Sequence, residues 1–449
     1  MGLKAVDVFT PGSFPEYTYV VRAEQGLEQS LRDSLETTGQ IVSISGPSKS
    51  GKTVLVEKVV GQNSLITVTG ASIRTPDDLW QQVLDWMDVP TSTSVGENSD
   101  STKGVEASVK GGFSVPFLGK AEIGTTGTLS TASGHTTGAV RNRRGLQQVV
   151  AEIADSSFVI LIDDFHYMPR DVQTEVAKSL KEAVRLKLKI VTASVSHRGD
   201  DVVRANPELR GRVRAIDLGY WSSKELCEIA TTGFSKLNAS FDPAVSATFA
   251  SESAGSPQLM QLLCLEACFV TNLREEHQGI IPAAPNLDSS LLKMVLEQTS
   301  SRTDFRSLVD VLDSGPPTRG TKRTMFTFHD GTTGDVYRVV LKAVASNPPQ
   351  LSFTYDELLI RTAKECVVDS PVGSSVTSTC VHMAKLATEK FPNDQVIDWD
   401  DSKPVLDLPN PYFMFYLRWS GRLHTPQRAA LSQQLQDTSA EASNLEFEK

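Results

Sequence analysis

Apolar and polar positions alternate along the first half of the chain in two ways. Short apolar runs are typical of strands, and the run at 158–162 is rich in β-branched residues, as in a strand buried on both faces of a parallel sheet. Other segments repeat apolar residues at helical spacing, as at 76–90. This alternation predicts an α/β fold built on a parallel sheet. The predicted strands are 41–44, 65–69, 158–162, 189–195 and 215–218.

Changes in composition then predict the domain organisation. Residues 104–138 are short β-prone pieces separated by glycines, which predicts a β-hairpin insertion. It is either an arm for contacts with another subunit or DNA, or a plain surface elaboration. The predicted units are an N-terminal arm (1–22), a core (23–218, insertion about 104–138), a helical lid (219–280), a connecting segment (281–330), a winged-helix-like domain (331–423) and a flexible tail (424–449).

Local signals support the lid and the C-terminal domain. Capping boxes, in which a Ser or Thr is followed three residues later by Glu, occur at 222–225 and 354–357. A helix is predicted from about Asp335 to Ser346. The second capping box follows it and precedes a helix, a further helix capped by Ser374 or Ser375, and a hairpin at 396–408. Three helices plus a hairpin describe a winged helix, which either binds DNA or packs on a protein surface. Its near balance of acidic and basic residues favours packing.

Composition narrows the class of protein. A chain of 449 residues has room for two or three domains. Its net charge of −10 argues against a protein that mainly coats nucleic acid. The five cysteines form no C-x-x-C pair, so we expect buried thiols instead of metal ligands. No apolar run approaches the ~18 residues that a bilayer span needs, and no signal peptide is evident, so we expect a cytoplasmic protein without membrane contact.

The most specific motif lies between the first strand and the helix that follows it. The sequence Gly46-Pro47-Ser48-Lys49-Ser50-Gly51-Lys52-Thr53 matches a P-loop, whose backbone N–H groups surround a β-phosphate at a helix N-terminus. Lys52 would reach the β- and γ-phosphates, and the Thr53 hydroxyl would bind Mg²⁺. We therefore expect ATP or ADP with Mg²⁺ as cofactors, bound by Pro47, Ser48, Lys49, Ser50, Gly51, Lys52, Thr53 and Val54.

Two carboxylates end the strand at 158–162, at the crevice where open α/β sheets bind ligands. Asp163 is placed to hold Mg²⁺, usually through water, and Asp164 to orient and deprotonate the attacking water. At the end of the next strand, Thr192 or Ser194 would contact the γ-phosphate or that water; strand-end hydroxyls are also common without such a role. We take Asp164 and Ser194 as candidate catalytic residues together with Lys52.

Two groups of arginines have alternative interpretations. Arg141, Arg143 and Arg144 are predicted at the start of a helix, where cations oppose the dipole. They face either an anionic partner or solvent. Arg210, Arg212 and Arg214 precede the last strand of the core. Arg210 or Arg212 either stabilises charge on a neighbouring subunit's nucleotide or forms ordinary salt bridges.

Taken together, these motifs resemble AAA+-type P-loop ATPases, in the branch shared by replication initiators, archaeal-type ATPases and STAND signalling ATPases. The resemblance covers roughly residues 15–420. It implies that an arm bearing Tyr19, Val20, Val21 and Arg22 lies against adenine, and that Pro257, in Gly255-Ser256-Pro257, brings the lid onto the nucleotide. The chain departs from the family in two ways: it has Asp-Asp where AAA+ proteins have Asp-Glu, and it lacks the usual lid arginine.

The resemblance leaves three functions open. The first is a regulatory, homo-oligomeric ATPase of STAND type that switches with nucleotide state, with bacterial antiviral defence and a separate effector protein as its setting. The second is a DNA-loading ATPase of initiator or transposition-regulator type, supported by basic residues such as Arg319, Lys322 and Lys385. The third is a scaffold that binds nucleotide without hydrolysing it. The Asp-Asp pair and the acidic balance favour the first.

Overall fold

The computed structural model describes residues 2–89, 92–95, 139–142, 145–195, 201–317, 322–392, 396–401 and 403–425. The insertion predicted at 104–138 and the tail beyond 425 lie outside these ranges, as do Arg143, Arg144 and Arg319. Among the described residues, no helix is both long and apolar enough to cross a membrane.

A sheet of five parallel strands forms the core, which confirms the predicted α/β class. Its strands are β1 (Ile41–Ser45), β2 (Leu65–Thr69), β5 (Val159–Asp163), β6 (Lys189–Ser194) and β7 (Val213–Asp217). Their spatial order is β2-β5-β6-β1-β7, and every neighbouring pair is parallel. All five carboxyl ends therefore lie at one edge, with the end of β6 between the ends of β1 and β5.

Helices cover both faces of this sheet, as buried parallel strands require. Side chains alternate along each strand, so Val159 and Leu161 pack on one face, and Ile160 and Ile162 on the other. The first face is covered by α2 (Leu27–Glu36) and α3 (Lys52–Val60), and the second by α4 (Pro76–Trp86), α5 (Leu146–Ile153) and α6 (Arg170–Arg185). The short α7 (Asp201–Ala205) precedes β7.

The N-terminal arm packs against the helical lid. The lid helices are α8 (Ser223–Lys236), α9 (Pro243–Glu252), α10 (Pro257–Val270) and α11 (Ser289–Ser301), and the arm contains α1 (Ala5–Val8). Phe9 lies in the lid core, and a side chain at Gly233 would overlap its ring. Burial of Ala5, Val8 and Phe9 stabilises the helical turn at the start of the arm.

The C-terminal domain follows α12 (Arg306–Ser314) and has its own apolar core. It consists of α13 (Val336–Ala345), α14 (Tyr355–Glu365), α15 (Gly373–Lys390) and α16 (Pro411–Trp419), the short pair β8 (Phe326–Thr327) and β9 (Thr333–Gly334), and a sheet of β10 (Ser352–Thr354), β11 (Asp398–Asp400) and β12 (Val405–Asp407). The sheet is antiparallel, with order β10-β12-β11. The order helix, strand, helix, helix and two strands is that of the winged-helix interpretation, which stays a prediction.

Helix α16 fastens this domain to the lid. Phe415 is buried in the lid core, and Arg418 donates two hydrogen bonds, of 2.7 and 2.8 Å, to the carboxylate of Glu252 at the end of α9. The indole of Trp419 donates to the same carboxylate. Glu252 and Arg418 are both buried. The lid and the C-terminal domain are thus joined by packing and by a desolvated ion pair.

Several local predictions were wrong. The helix predicted to start with Arg141 begins at Leu146, since residues 139–142 form β4 (Ala139–Asn142), which pairs with β3 (Ser92–Val95). Neither Ser374 nor Ser375 caps α15, whose N-cap is Val372. The close packing of Gly373 on Tyr355 sets that helix start.

Two helices in the predicted connecting segment were missed. α11 and α12 fall within 281–330, which had been interpreted as a linker. Val295 and Leu296 of α11 are buried in the lid core, and Leu308 and Leu312 of α12 are buried in the C-terminal core. These segments are helical because two neighbouring cores bury their apolar residues.

Candidate nucleotide-binding site

The P-loop joins β1 to α3 in a conformation that two glycines allow. Gly51 has a φ of 94°, which only glycine adopts without strain, and it directly precedes α3. A side chain at Gly46 would lie 3.0 Å from the Cβ of Leu218 and 3.0 Å from the hydroxyl of Ser50. The loop therefore folds tightly over the end of the sheet, as the sequence predicts.

Lys52 is buried within this loop. Its ammonium donates hydrogen bonds of 2.9 Å to the backbone carbonyls of Gly46 and Pro47. Burial lowers the pKa of the Lys52 ammonium, and the carboxylates of Asp163 and Asp164 oppose that shift. A phosphate in the loop would supply the negative charge that this desolvated ammonium lacks.

The two predicted metal ligands meet across the end of β5. The Thr53 hydroxyl donates a hydrogen bond of 2.6 Å to Oδ2 of Asp163, although 110 positions separate them. The backbone N–H of Asp164 donates to the other oxygen of Asp163 at 2.9 Å. Mg²⁺ takes one or two protein oxygens and fills the remaining positions with water and phosphate, so this donor pair suits it.

Asp164 follows directly, in a left-handed backbone conformation with a φ of 55°. Burial, and secondly the neighbouring carboxylate of Asp163, raise its pKa above the ordinary value, while Lys52 and Lys49 act in the opposite direction. Gly70, just after β2, holds this position, because a side chain there would overlap the carbonyl of Asp164. Sequence reasoning missed Gly70; a glycine directly after a core strand was the signal that could have found it.

A cleft of about 520 Å³ extends from the P-loop to the arm and the lid. Three of the predicted adenine contacts, Tyr19, Val20 and Arg22, line it, as does the predicted lid residue Pro257. The P-loop lines it through Ser48, Lys49, Ser50, Gly51, Lys52, Thr53 and Val54. Sequence reasoning missed further lining residues from other elements, among them Trp221, Gln258, Gln261 and Asn410.

Other predicted site residues do not face the cleft. Val21 points to solvent and is 57% exposed. Pro47 contributes its carbonyl to Lys52, but it does not line the cleft. Ser194 is buried at the end of β6, opposite Ser45, and also does not line the cleft.

Arg210 and Arg212 lie at the opposite edge of the sheet. The carbonyl of Arg212 accepts from the N–H of Ile41, at the start of β1, whereas the P-loop follows the end of that strand. Four residues of strand at ~3.3 Å each separate the two edges by roughly 13 Å. Both side chains are exposed, so neither contacts the nucleotide site of its own chain.

Arg22 and Trp221 connect the arm, the P-loop and the lid. The guanidinium of Arg22 bonds to Glu225 at 3.0 Å and to the carbonyls of Leu218 and Tyr220. It also lies 5.1 Å from the ring centre of Trp221, whose indole donates to the carbonyl of Ser50. Arg22 is thus hydrogen-bonded by the protein where it lines the cleft, and its contact with adenine stays a prediction.

Tyr19 forms the outer wall of the cleft. Its hydroxyl donates a hydrogen bond of 2.7 Å to Glu28, and its ring stacks on Phe14 with centres 6.0 Å apart. Burial raises the pKa of the Tyr19 phenol, so the hydroxyl stays protonated at neutral pH. An aromatic face beside the P-loop suits a nucleobase.

The predicted lid turn is present. Gly255 has a φ of 85° and packs against Tyr220, and Ser256 caps α10 through the N–H of Leu259. Pro257 is the first residue of that helix and lines the cleft. The lid, the arm and the P-loop therefore enclose one cleft that ends at Asp163 and Asp164. The described residues thus form an α/β core with a P-loop at the carboxyl edge of a five-stranded parallel sheet.

Comparisons with known proteins place the chain far from others in sequence. No protein-family model and no curated protein matches it. Among solved structures it is similar to the ORC2 protein of Aeropyrum pernix, described as ADPNP-ADP complexes, with 13% identity, coverage of 93% of this chain and 97% of that chain, and a TM-score of 0.49. It is also similar to Cdc6p of Pyrobaculum aerophilum, with 12% identity, coverage of 93% of this chain and 97% of that chain, and a TM-score of 0.40.

The RuvB branch migration motor of Thermotoga maritima is also similar, with 11% identity, 89% of this chain and 95% of that chain covered, and a TM-score of 0.38. At such values the likeness carries no argument about the residues of this chain. The assignment of the nucleotide site to particular residues therefore comes from the P-loop and the sheet edge of this chain itself.

Proposed function

We propose that the chain is a regulatory ATPase that binds ATP with Mg²⁺, hydrolyses it slowly and changes its assembly with the state of the bound nucleotide. The observation that carries this proposal is the hydrogen bond from Thr53 to Asp163 beside the buried Lys52, in a cleft that the arm and lid enclose. Phosphate, metal and water each have suitable groups there.

Each residue of the site has a distinct part in the proposal. The P-loop N–H groups and Lys52 bind the phosphates, and Thr53 and Asp163 hold the Mg²⁺, which supplies neutralisation of the developing charge. Asp164 accepts a proton from the attacking water, and its raised pKa makes it a better base than an ordinary carboxylate. Tyr19 positions the nucleobase of the nucleotide, and Pro257 positions the lid over the cleft.

A switch needs an element whose position depends on the nucleotide. Trp221 contacts the P-loop and Arg22 contacts the lid, so a change at the phosphates reaches α8 through two side chains. The lid in turn carries the C-terminal domain through Glu252 and Arg418. We further propose a homo-oligomer with a separate effector protein. Bacterial antiviral defence is the proposed setting, and it rests on the STAND resemblance alone.

The proposal is tested by binding and size measurements on the full chain. Lys52→Ala should abolish ATP binding in calorimetry, since the loop loses its only buried cation among the described residues. Light scattering with ADP and with a non-hydrolysable ATP analogue should give different masses for the wild type and equal masses for Lys52→Ala. Unchanged nucleotide affinity of that variant would overturn the site. Equal wild-type masses in both nucleotides would overturn the switch and leave a passive binder.

A further inference from the structure

The connection between α14 and α15 exposes apolar side chains to solvent. Four of them lie within thirteen positions of the chain, from the second half of α14 to the residue before α15. Their exposed fractions are 56% for Ile360, 49% for Val367, 86% for Val368 and 69% for Val372. Single exposed apolar residues are ordinary, whereas a group of them commonly marks a binding surface. We call these four residues the α14–α15 surface.

The segment between α14 and α15 is fixed by hydrogen bonds and packing at both of its ends. The N–H of Val367 donates a hydrogen bond of 2.9 Å to the carbonyl of Thr327 in β8, and Cys366 pairs with Phe328. At the other end, Gly373 packs directly on Tyr355. The capping box of Thr354 and Glu357 fixes the start of α14. The apolar side chains are thus presented from a defined backbone.

Charged groups around the α14–α15 surface are mostly acidic. Arg361 is buried and donates to the carbonyls of Ser346 and Pro348, and its charge offsets part of theirs, since it lies near Glu357 and Glu365. Lys364 is the one exposed cation between residues 355 and 372, all of which are described. The carboxylates in the same stretch, exposed or half-buried, are Asp356, Glu357, Glu365 and Asp369.

This charge pattern does not suit a nucleic acid. A duplex carries one negative charge per ~1.7 Å of axis, so four carboxylates beside its backbone would repel it. Helix α15 adds one net positive charge at its end, since Lys385 lies 3.8 Å from Glu389 and Lys390 follows. An apolar surface with an acidic margin is instead complementary to apolar side chains flanked by Lys or Arg.

We propose that the α14–α15 surface binds a partner protein through a helical segment whose apolar face is flanked by lysines or arginines. The apolar side chains of the partner cover Ile360, Val367, Val368 and Val372, and its cations meet the carboxylates at the margin. The site is separate from the nucleotide cleft and does not require hydrolysis.

The experiment uses the full chain and a labelled synthetic helix of about 16 residues with leucines at positions i, i+3, i+4 and i+7 and lysines on its other face. A matched peptide carries glutamates instead of the lysines. Fluorescence anisotropy should show tighter binding of the lysine peptide. The double variant Ile360→Ser/Val368→Ser should weaken it by about two orders of magnitude, because two aliphatic side chains lose their burial against the peptide.

Matched variants distinguish binding at this site from non-specific hydrophobic binding elsewhere on the surface. Ile280→Ser/Ile281→Ser removes two fully exposed apolar side chains elsewhere and should leave binding unchanged. Asp356→Lys/Asp369→Lys should weaken the lysine peptide and strengthen the glutamate peptide. Melting curves by circular dichroism check that the variants fold, which solvent-exposed positions should permit. Lys52→Ala should bind the peptide as the wild type does. The peptide result therefore tests the α14–α15 surface whether or not the proposed nucleotide site is correct.

Other outcomes would overturn the proposal. These are absence of binding at high peptide concentration, equal affinity for the two peptides, or the same loss in the Ile280→Ser/Ile281→Ser control. Self-association that disappears with Ile360→Ser/Val368→Ser would show that a second copy occupies the surface. Salt-dependent binding of duplex DNA that the same variant abolishes would show a nucleic-acid site.

Discussion

Asp164 illustrates how single residues in this protein depend on their neighbours. Its left-handed backbone directs it away from the strand that carries Asp163, and Gly70 leaves space for its carbonyl. Burial and the adjacent carboxylate raise its pKa. Its candidate role as a base is therefore a property of three chain segments, of which the sequence pattern identifies only the strand end.

Replacement of Asp164 by Asn should slow phosphate release in a single turnover by roughly 10²- to 10⁴-fold, the usual contribution of a general base. Nucleotide binding should persist, because Thr53 and Asp163 remain in place. The wild-type rate should fall as pH decreases through the pKa of Asp164, which lies above the ordinary value of 3.8, since the protonated form accepts no proton. An equal rate for the variant, or an unchanged acid limb, would contradict the role.

Gly70→Ala tests the packing that positions this carboxylate. The new methyl group overlaps the carbonyl of Asp164, so we expect a loss of ~1–3 kcal/mol in the free energy of unfolding and slower hydrolysis. Gly12→Ala is the matched control, because nothing lies near that position. Urea unfolding and phosphate release measure the two effects. A variant as stable and active as the control would contradict the assigned contact.

At the scale of elements, the attachment of α16 to α9 makes the lid and the C-terminal domain one unit. Glu252 accepts from both Arg418 and Trp419, and all three side chains lie at the interface between the two cores. Buried ion pairs add little net stability when complete, but they are costly to break. The pair therefore fixes how the domains dock.

Arg418→Met leaves the carboxylate of Glu252 buried without its cation and should cost ~3–5 kcal/mol in the free energy of unfolding. Glu252→Met/Arg418→Met removes both charges and should recover most of that loss. Denaturant unfolding of the two variants gives the comparison. If the single and the double variant are equally destabilised, packing and not the charge pair holds the two elements together.

At the scale of the whole molecule, the arginines at the far edge of the sheet distinguish hydrolysis by a single chain from hydrolysis that needs a neighbouring subunit. Arg210 and Arg212 are exposed and do not reach the cleft of their own chain. In an oligomer, that edge of one subunit can face the nucleotide of the next. Whether hydrolysis requires a neighbour is thus a question about assembly.

A mixing experiment answers it. Asp164→Asn and Arg210→Ala/Arg212→Ala should each be inactive alone, while their mixture should recover part of the phosphate release. Recovery occurs because intact carboxylates of one variant then meet intact arginines of the other. Arg185→Ala, an exposed arginine on α6, is the control and should remain active. Absence of recovery in mixtures that demonstrably co-assemble would assign the arginines to ordinary surface pairs.

Much of this protein follows from the sequence alone. The apolar run ending in Asp163 and the P-loop at Gly46 to Thr53 predict a nucleotide site at the carboxyl edge of a parallel sheet, because both signals are local: strand burial, loop glycines and helix starts each involve a few neighbouring residues. The capping boxes at Ser222 and Thr354 are local in the same sense, and both helices begin where they predict.

The tertiary structure decided what depends on residues far apart in the chain. It placed Thr53 against Asp163, turned Val21 outward, engaged Arg22 with Glu225 and made α11 and α12 helical. It also put Asn410, from the C-terminal domain, at the nucleotide cleft. These outcomes depend on which faces meet when several elements pack, and one apolar pattern is compatible with many such packings, so a linear sequence specifies them only through the complete fold.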